Sequence, residues 1–90
     1  MKIKTTPNAI KTLRKIKRIA NDPALLRKIS RMDGERLLFY IIEILDDLGI
    51  DHTQMTLTDL AAELNEHYPY VAIFLQAAIK RLRKLLDRNY

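Results

Sequence analysis

The stretch "ERLLFYIIEILDDLG", residues 35–49, constrains this chain more than any other. Nine of its fifteen residues are apolar, and they run together rather than alternate with polar ones. A half-buried strand would alternate, so this spacing predicts a helix. A helix apolar on most sides belongs in the middle of a core, so Leu37, Leu38, Phe39, Tyr40, Ile41, Ile42, Ile44, Leu45 and Leu48 are expected there. Asp33 is placed to cap this helix, Glu35 suits its first turn, and Gly49 is placed to end it in a left-handed conformation. The run is shorter than the roughly 18 residues of a membrane span. The basic start "MKIKTTPNAIKTLRKIKR" has no apolar stretch of the secretory kind.

The rest of the chain reads the same way. Only two residues of the ninety are Gly, and β-branched residues never alternate over a long run. The expectation is one all-α domain, a compact bundle of about five helices, with at most a short strand at "QMT" in the loop after Gly49. Thr6-Pro7 opens a helix with Ile10, Leu13, Ile16 and Ile19 or Ala20 on a narrow apolar stripe. Asn21-Asp22-Pro23 stops it and starts a short helix to about Arg31, burying Leu25, Leu26 and Ile29. The break near Asp33 separates a basic arm, residues 1–32, from residues 33–90.

Charge is unevenly distributed. Residues 1–36 hold eleven Lys/Arg and three Asp/Glu; residues 37–70 hold no Lys/Arg and seven Asp/Glu; residues 71–90 hold five and one. Such blocks attract a polyanion with the two ends, pair with each other within or between chains, or solvate helix faces. Five basic residues in eight positions, Lys11, Arg14, Lys15, Lys17 and Arg18, favour a polyanion or an acidic protein surface for the first helix.

"TLTDLAAELNEHYPYVAIFLQ", residues 56–76, has the pattern of a helix-turn-helix. Thr56 is a plausible cap with Asp59 three residues on. Leu57, Leu60, Ala61 and Leu64 form a stripe, Ala61 small enough for a close helix crossing. Asn65 falls where the turn takes a left-handed residue, and Val71 and Leu75 lock the second helix. Residues 35–90 resemble the C-terminal DNA-binding domain of cyclic-AMP-receptor-type winged-helix regulators. "RLLFYIIEILDDLG" resembles the helix before the motif, "TLTDLAAEL" its first helix, and "KRLRKLLDRN" the tail of its recognition helix. The resemblance implies binding of nucleic acid, DNA more than RNA, by a transcriptional or replication regulator.

Two departures qualify it. Base edges are read by donors and acceptors such as Arg, Gln and Asn, yet the reading positions hold Tyr68, Pro69 and Ile73. The family's β-hairpin wing has no counterpart before Tyr90. Phosphate contacts are therefore expected from Lys11, Arg14, Lys15, Lys17, Arg18, Lys80, Arg81, Arg83 and Lys84, and base contacts from Tyr68, Tyr70 and Gln76.

The last helix, expected over residues 69–86, carries a heptad line of Val71, Leu75, Ala78, Leu82 and Leu85. Ile73, Phe74, Ile79 and Leu86 lie off that line, and with Tyr68 and Leu82 they are candidates for an interface with another copy or a protein partner. That supports an alternative reading, a scaffold subunit of a larger nucleoprotein assembly. Asp46, Asp47 and Asp51 crowd a helix end that the dipole disfavours, where a cation or the basic arm of another copy would fit. His52 and His67 have no metal-ligand spacing. There is no cysteine, phosphate-binding glycine loop or nucleophile pattern, so no metal, cofactor or catalysis is expected, and a cytoplasmic setting is.

Overall fold

Five helices account for most of the chain in a computed structural model, which describes residues 3–88. Arg88, which the sequence "KRLRKLLDR" puts with Lys80, Arg81, Arg83 and Lys84 on one basic side of the last helix, has its side chain outside the described part. The helices are α1 Pro7–Ala20, α2 Pro23–Ser30, α3 Gly34–Leu48, α4 Leu57–Leu64 and α5 Pro69–Arg88. Among the described residues there is no strand, so the fold is an all-α bundle as expected.

The helix ends are set by local chemistry. The Thr6 hydroxyl accepts from the Ala9 N–H, and the Asp22, Asp33 and Thr56 side chains accept from Ala24, Arg36 and Asp59. Each takes up one of the N–H groups a helix start leaves without a partner. Gly49 closes α3 with φ 72°; its N–H donates to the Asp46 carbonyl and the Ile50 N–H to the Leu45 carbonyl. These are the two backbone hydrogen bonds of a glycine-ended helix. The Lys4 N–H donates to the Leu48 carbonyl, tying the start of the chain to the end of α3.

Two expectations about loops are corrected. Asn65 is right-handed (φ −58°, ψ −29°), not left-handed, because its N–H continues the helical pattern by donating to the Ala61 carbonyl. The reversal is completed over the next three residues, and the Tyr68 N–H donates to the Leu64 carbonyl. The "QMT" segment forms no strand: it has no strand to pair with, and the loop is organised by Asp51, whose carboxylate accepts from the N–H and hydroxyl of Thr53.

A larger correction concerns the centre. α5, not α3, is the helix that packs against each of the other four. Its Val71, Phe74, Leu75 and Ala78 are fully buried, among Leu60 and Leu64 of α4, Ile16 of α1 and Leu37, Ile41 and Leu45 of α3. The basic arm belongs to this same core through Ala9, Ile16, Ile19 and Ile29. α3 therefore buries one face only, and Leu38, Phe39 and Ile42 are exposed at 45%, 67% and 40%. The contiguous run had more apolar residues than the space beside α1 and α5 can cover.

Candidate nucleic-acid interface

Helical spacing puts Ala9, Thr12, Ile16 and Ile19 of α1 inward and its cations outward; Ile10, expected on the inward stripe, is exposed at 43% because Ala9 takes the inward place in that turn. Lys11, Arg14, Lys15, Lys17 and Arg18 are all exposed. Only Asn21 and Asp22 separate α1 from α2, so α2 folds back beside it and adds Arg27, Lys28 and Arg31, also exposed. The two sets form one surface. Lys11 and Arg14 share a shallow groove with Lys15 and Arg18. Lys15 and Arg18 share an open cavity of about 560 Å³ with Lys28, and Lys28 lines a third depression with Arg27 and Arg31.

Seven cations are thus contiguous. The carboxylate among them, Asp22, is engaged in capping α2. The cavity shared by Lys15, Arg18 and Lys28 has an apolar lining of Ile19, Leu25, Ile29, Met32 and Tyr40. Lys15 Nζ stands 5.0 Å from the centre of the Tyr40 ring, a cation over an aromatic face, and Tyr40 meets Phe74 edge-on at 5.8 Å. Among the described residues the His52 ring nitrogen meets the Asp46 carboxylate at 3.0 Å, and no Lys or Arg is paired with a carboxylate.

The second set of expected contacts is divided by the turn of α5. Gln76, Lys80, Arg83 and Lys84 come together along a groove against Thr58, Ala61 and Ala62 of α4. Arg81 does not join them, which corrects its place among the expected phosphate contacts. It points to the opposite flank, half-buried, and its Nε donates to the Met32 carbonyl at 2.9 Å. Tyr68 and Tyr70 meet edge-to-face at 6.5 Å, half-buried against the core. Burial raises the Tyr70 phenol above its ordinary pKa, and the adjoining Tyr68 adds to it.

The expected interface residues also separate. Phe74 is a correction: it is completely buried, because α1, α2 and α3 close over the flank of α5 that a heptad line leaves open. Ile79 and Leu82 are half-buried against the core, while Ile73 (43%) and Leu86 (59%) are exposed. Leu86 lies with Leu82, Leu85, Gly34 and Leu38 along an apolar groove of about 280 Å³ between α3 and α5.

The acidic end of α3 is held by its own neighbours. Asp46 pairs with His52, and Asp47 accepts from the Thr12 hydroxyl at 3.3 Å. The hydroxyl and then the N–H of Thr53 hold the Asp51 carboxyl below its ordinary pKa. Among the described residues no three His, Cys, Asp or Glu side chains are grouped to hold a metal ion, and no helix is long and apolar enough to cross a membrane. His67 is exposed on the α4–α5 turn.

Reading the sequence alone missed Arg27, Lys28 and Arg31. The signal was there: Arg27 and Arg31 are one turn apart, and a two-residue link forces α2 against α1. Comparison with protein-family models, with curated proteins and with solved structures finds no match to this chain.

Proposed function

We propose that this chain is a small non-enzymatic nucleic-acid-binding protein, cytoplasmic and regulatory, that grips the phosphate backbone through α1 and α2. The observation that carries this reading is the contiguous surface of Lys11, Arg14, Lys15, Arg18, Arg27, Lys28 and Arg31, none of them paired with a carboxylate among the described residues. Unpaired cations at this density give a field that draws in a polyanion and releases its counterions. DNA is favoured over RNA by the helix-turn-helix reading of α4 and α5. In that reading Gln76, Lys80, Arg83 and Lys84 form a second contact edge. Phosphate contacts position a protein without selecting sequence, so weak sequence preference is expected.

The test is fluorescence anisotropy of a labelled duplex with the full chain. Five phosphate contacts imply a logarithmic salt slope of about −4.5, or roughly 500-fold weaker binding at about 200 mM than at about 50 mM salt. Absence of binding at the lower salt rejects the proposal.

A second reading, a scaffold subunit that docks protein, is favoured by the exposed Ile73 on the outward side of α5. Ile73→Ala separates the two. Lost duplex binding with unchanged oligomeric state supports α5 as a nucleic-acid contact; a lost partner or oligomer with intact duplex binding supports docking.

A further inference from the structure

α1 and α3 are similar in length, fourteen and fifteen residues, or about 21–23 Å each. They pack against each other along their inner faces, leaving two outer faces of opposite character. The outer face of α3 carries Leu38, Phe39 and Ile42 between Glu35, Glu43 and Asp46, all exposed, with Arg36 at its edge. The groove that runs from Leu38 to Leu86 widens this apolar area. The outer face of α1 carries Ile10, 43% exposed, among Lys11, Arg14 and Lys17. One face is an apolar strip with an acidic fringe; the other is an apolar knob with a basic fringe.

We infer that the outer face of α3 is a docking site for the outer face of α1 of a second copy of this chain. Within one chain these faces cannot meet, since the helices already touch by their inner sides. Like-with-like pairing is opposed by charge. Two α3 faces crossing at Phe39 set Glu35 against Glu43, and two α1 faces set cation against cation. Only the mixed pairing buries Phe39 and Ile10 while each carboxylate approaches a cation. The contact closes a reciprocal dimer or extends a chain of copies, depending on the crossing angle. Arg27, Lys28 and Arg31 lie off this contact, and the inference does not rest on nucleic-acid binding.

The test is sedimentation velocity of the full chain, without nucleic acid, at about 50 mM salt, where charge contacts are weakly screened. The variants are Phe39→Glu on α3 and Ile10→Glu on α1. Each is expected to weaken self-association at least about tenfold while keeping the helical circular dichroism of the native chain. An equimolar mixture is expected to form a one-to-one heterodimer, because each variant keeps the face the other has lost. Phe39→Ser and Ile10→Ser, which add no charge, serve if either acidic variant fails to fold. Three results overturn the inference: a native chain that stays monomeric at every concentration, disruption by only one of the two variants, or a mixture that stays monomeric.

Discussion

α1 and α3 lie side by side and contribute to the same core, yet they use their apolar residues differently. In α1 the inward stripe is nearly all the apolar surface there is, and Ile10 alone of its large apolar side chains is strongly exposed. In α3 the apolar residues outnumber the inward positions, so Leu38, Phe39 and Ile42 stand in solvent. The inner faces are governed by packing and the outer faces are not. One outer face has accumulated cations, the other apolar groups with carboxylates. The two helices differ on the sides that the core leaves free.

The comparison breaks if stability depends on the outer faces. Truncation inside, Ile16→Ala in α1 or Leu45→Ala in α3, is expected to cost about 2–5 kcal/mol in denaturant unfolding, since both side chains are fully buried. Truncation outside, Lys17→Ala or Phe39→Ala, is expected to stay within about 0.5 kcal/mol. A large loss for Phe39→Ala at concentrations where the chain is monomeric would place it in the core after all.

The ends of the two helices sharpen the contrast. Gly49→Ala forces a side chain into φ 72° and brings its Cβ to about 2.5 Å from the Lys4 side chain. It is expected to cost about 1–2 kcal/mol in the same assay. Asn21, which ends α1 in a right-handed conformation, tolerates Ala with a loss of about 0.5 kcal/mol or less.

α5 offers a matched pair of cations. Arg81→Ala removes the hydrogen bond to the Met32 carbonyl and is expected to cost about 1 kcal/mol of stability with duplex affinity little changed. Lys84→Ala is expected to do the reverse, leaving stability intact and weakening duplex binding severalfold at low salt. Equal effects on both assays would remove the distinction between the flanks of α5.

The smallest effect lies in the loop that follows α3. Asp51 has its carboxyl pKa lowered by the Thr53 hydrogen bonds. A depressed carboxyl contributes stability above its unfolded pKa and loses it as pH falls through the folded value. Thr53→Ala should move the Asp51 titration, followed by NMR, back towards the ordinary carboxylate range. The backbone N–H bond survives in that variant, so an unmoved titration would show that the hydroxyl bond is not formed in solution.

The caps were the most legible part of the sequence, because each is a bond between a side chain and a backbone a few residues away. Thr6, Asp22, Asp33, Gly49 and Thr56 all act as their positions suggest. What depends on which helix occupies the centre was not legible. Phe74 is buried, and Phe39 is exposed, because α5 takes the middle and α3 the flank. The α1 cations of the candidate interface were legible from their density; the α2 cations and Tyr40 join only when α2 folds back.

Phosphate binding by the α1–α2 surface is read from salt-dependent duplex titrations of the native chain and of a Lys15→Glu, Arg18→Glu, Lys28→Glu triple variant. All three positions are exposed and ring one cavity. The variant is expected to bind more weakly at low salt, with a logarithmic salt slope shallower by about 2.7, the loss of three phosphate contacts. A variant with native affinity and native slope would contradict phosphate binding by this surface.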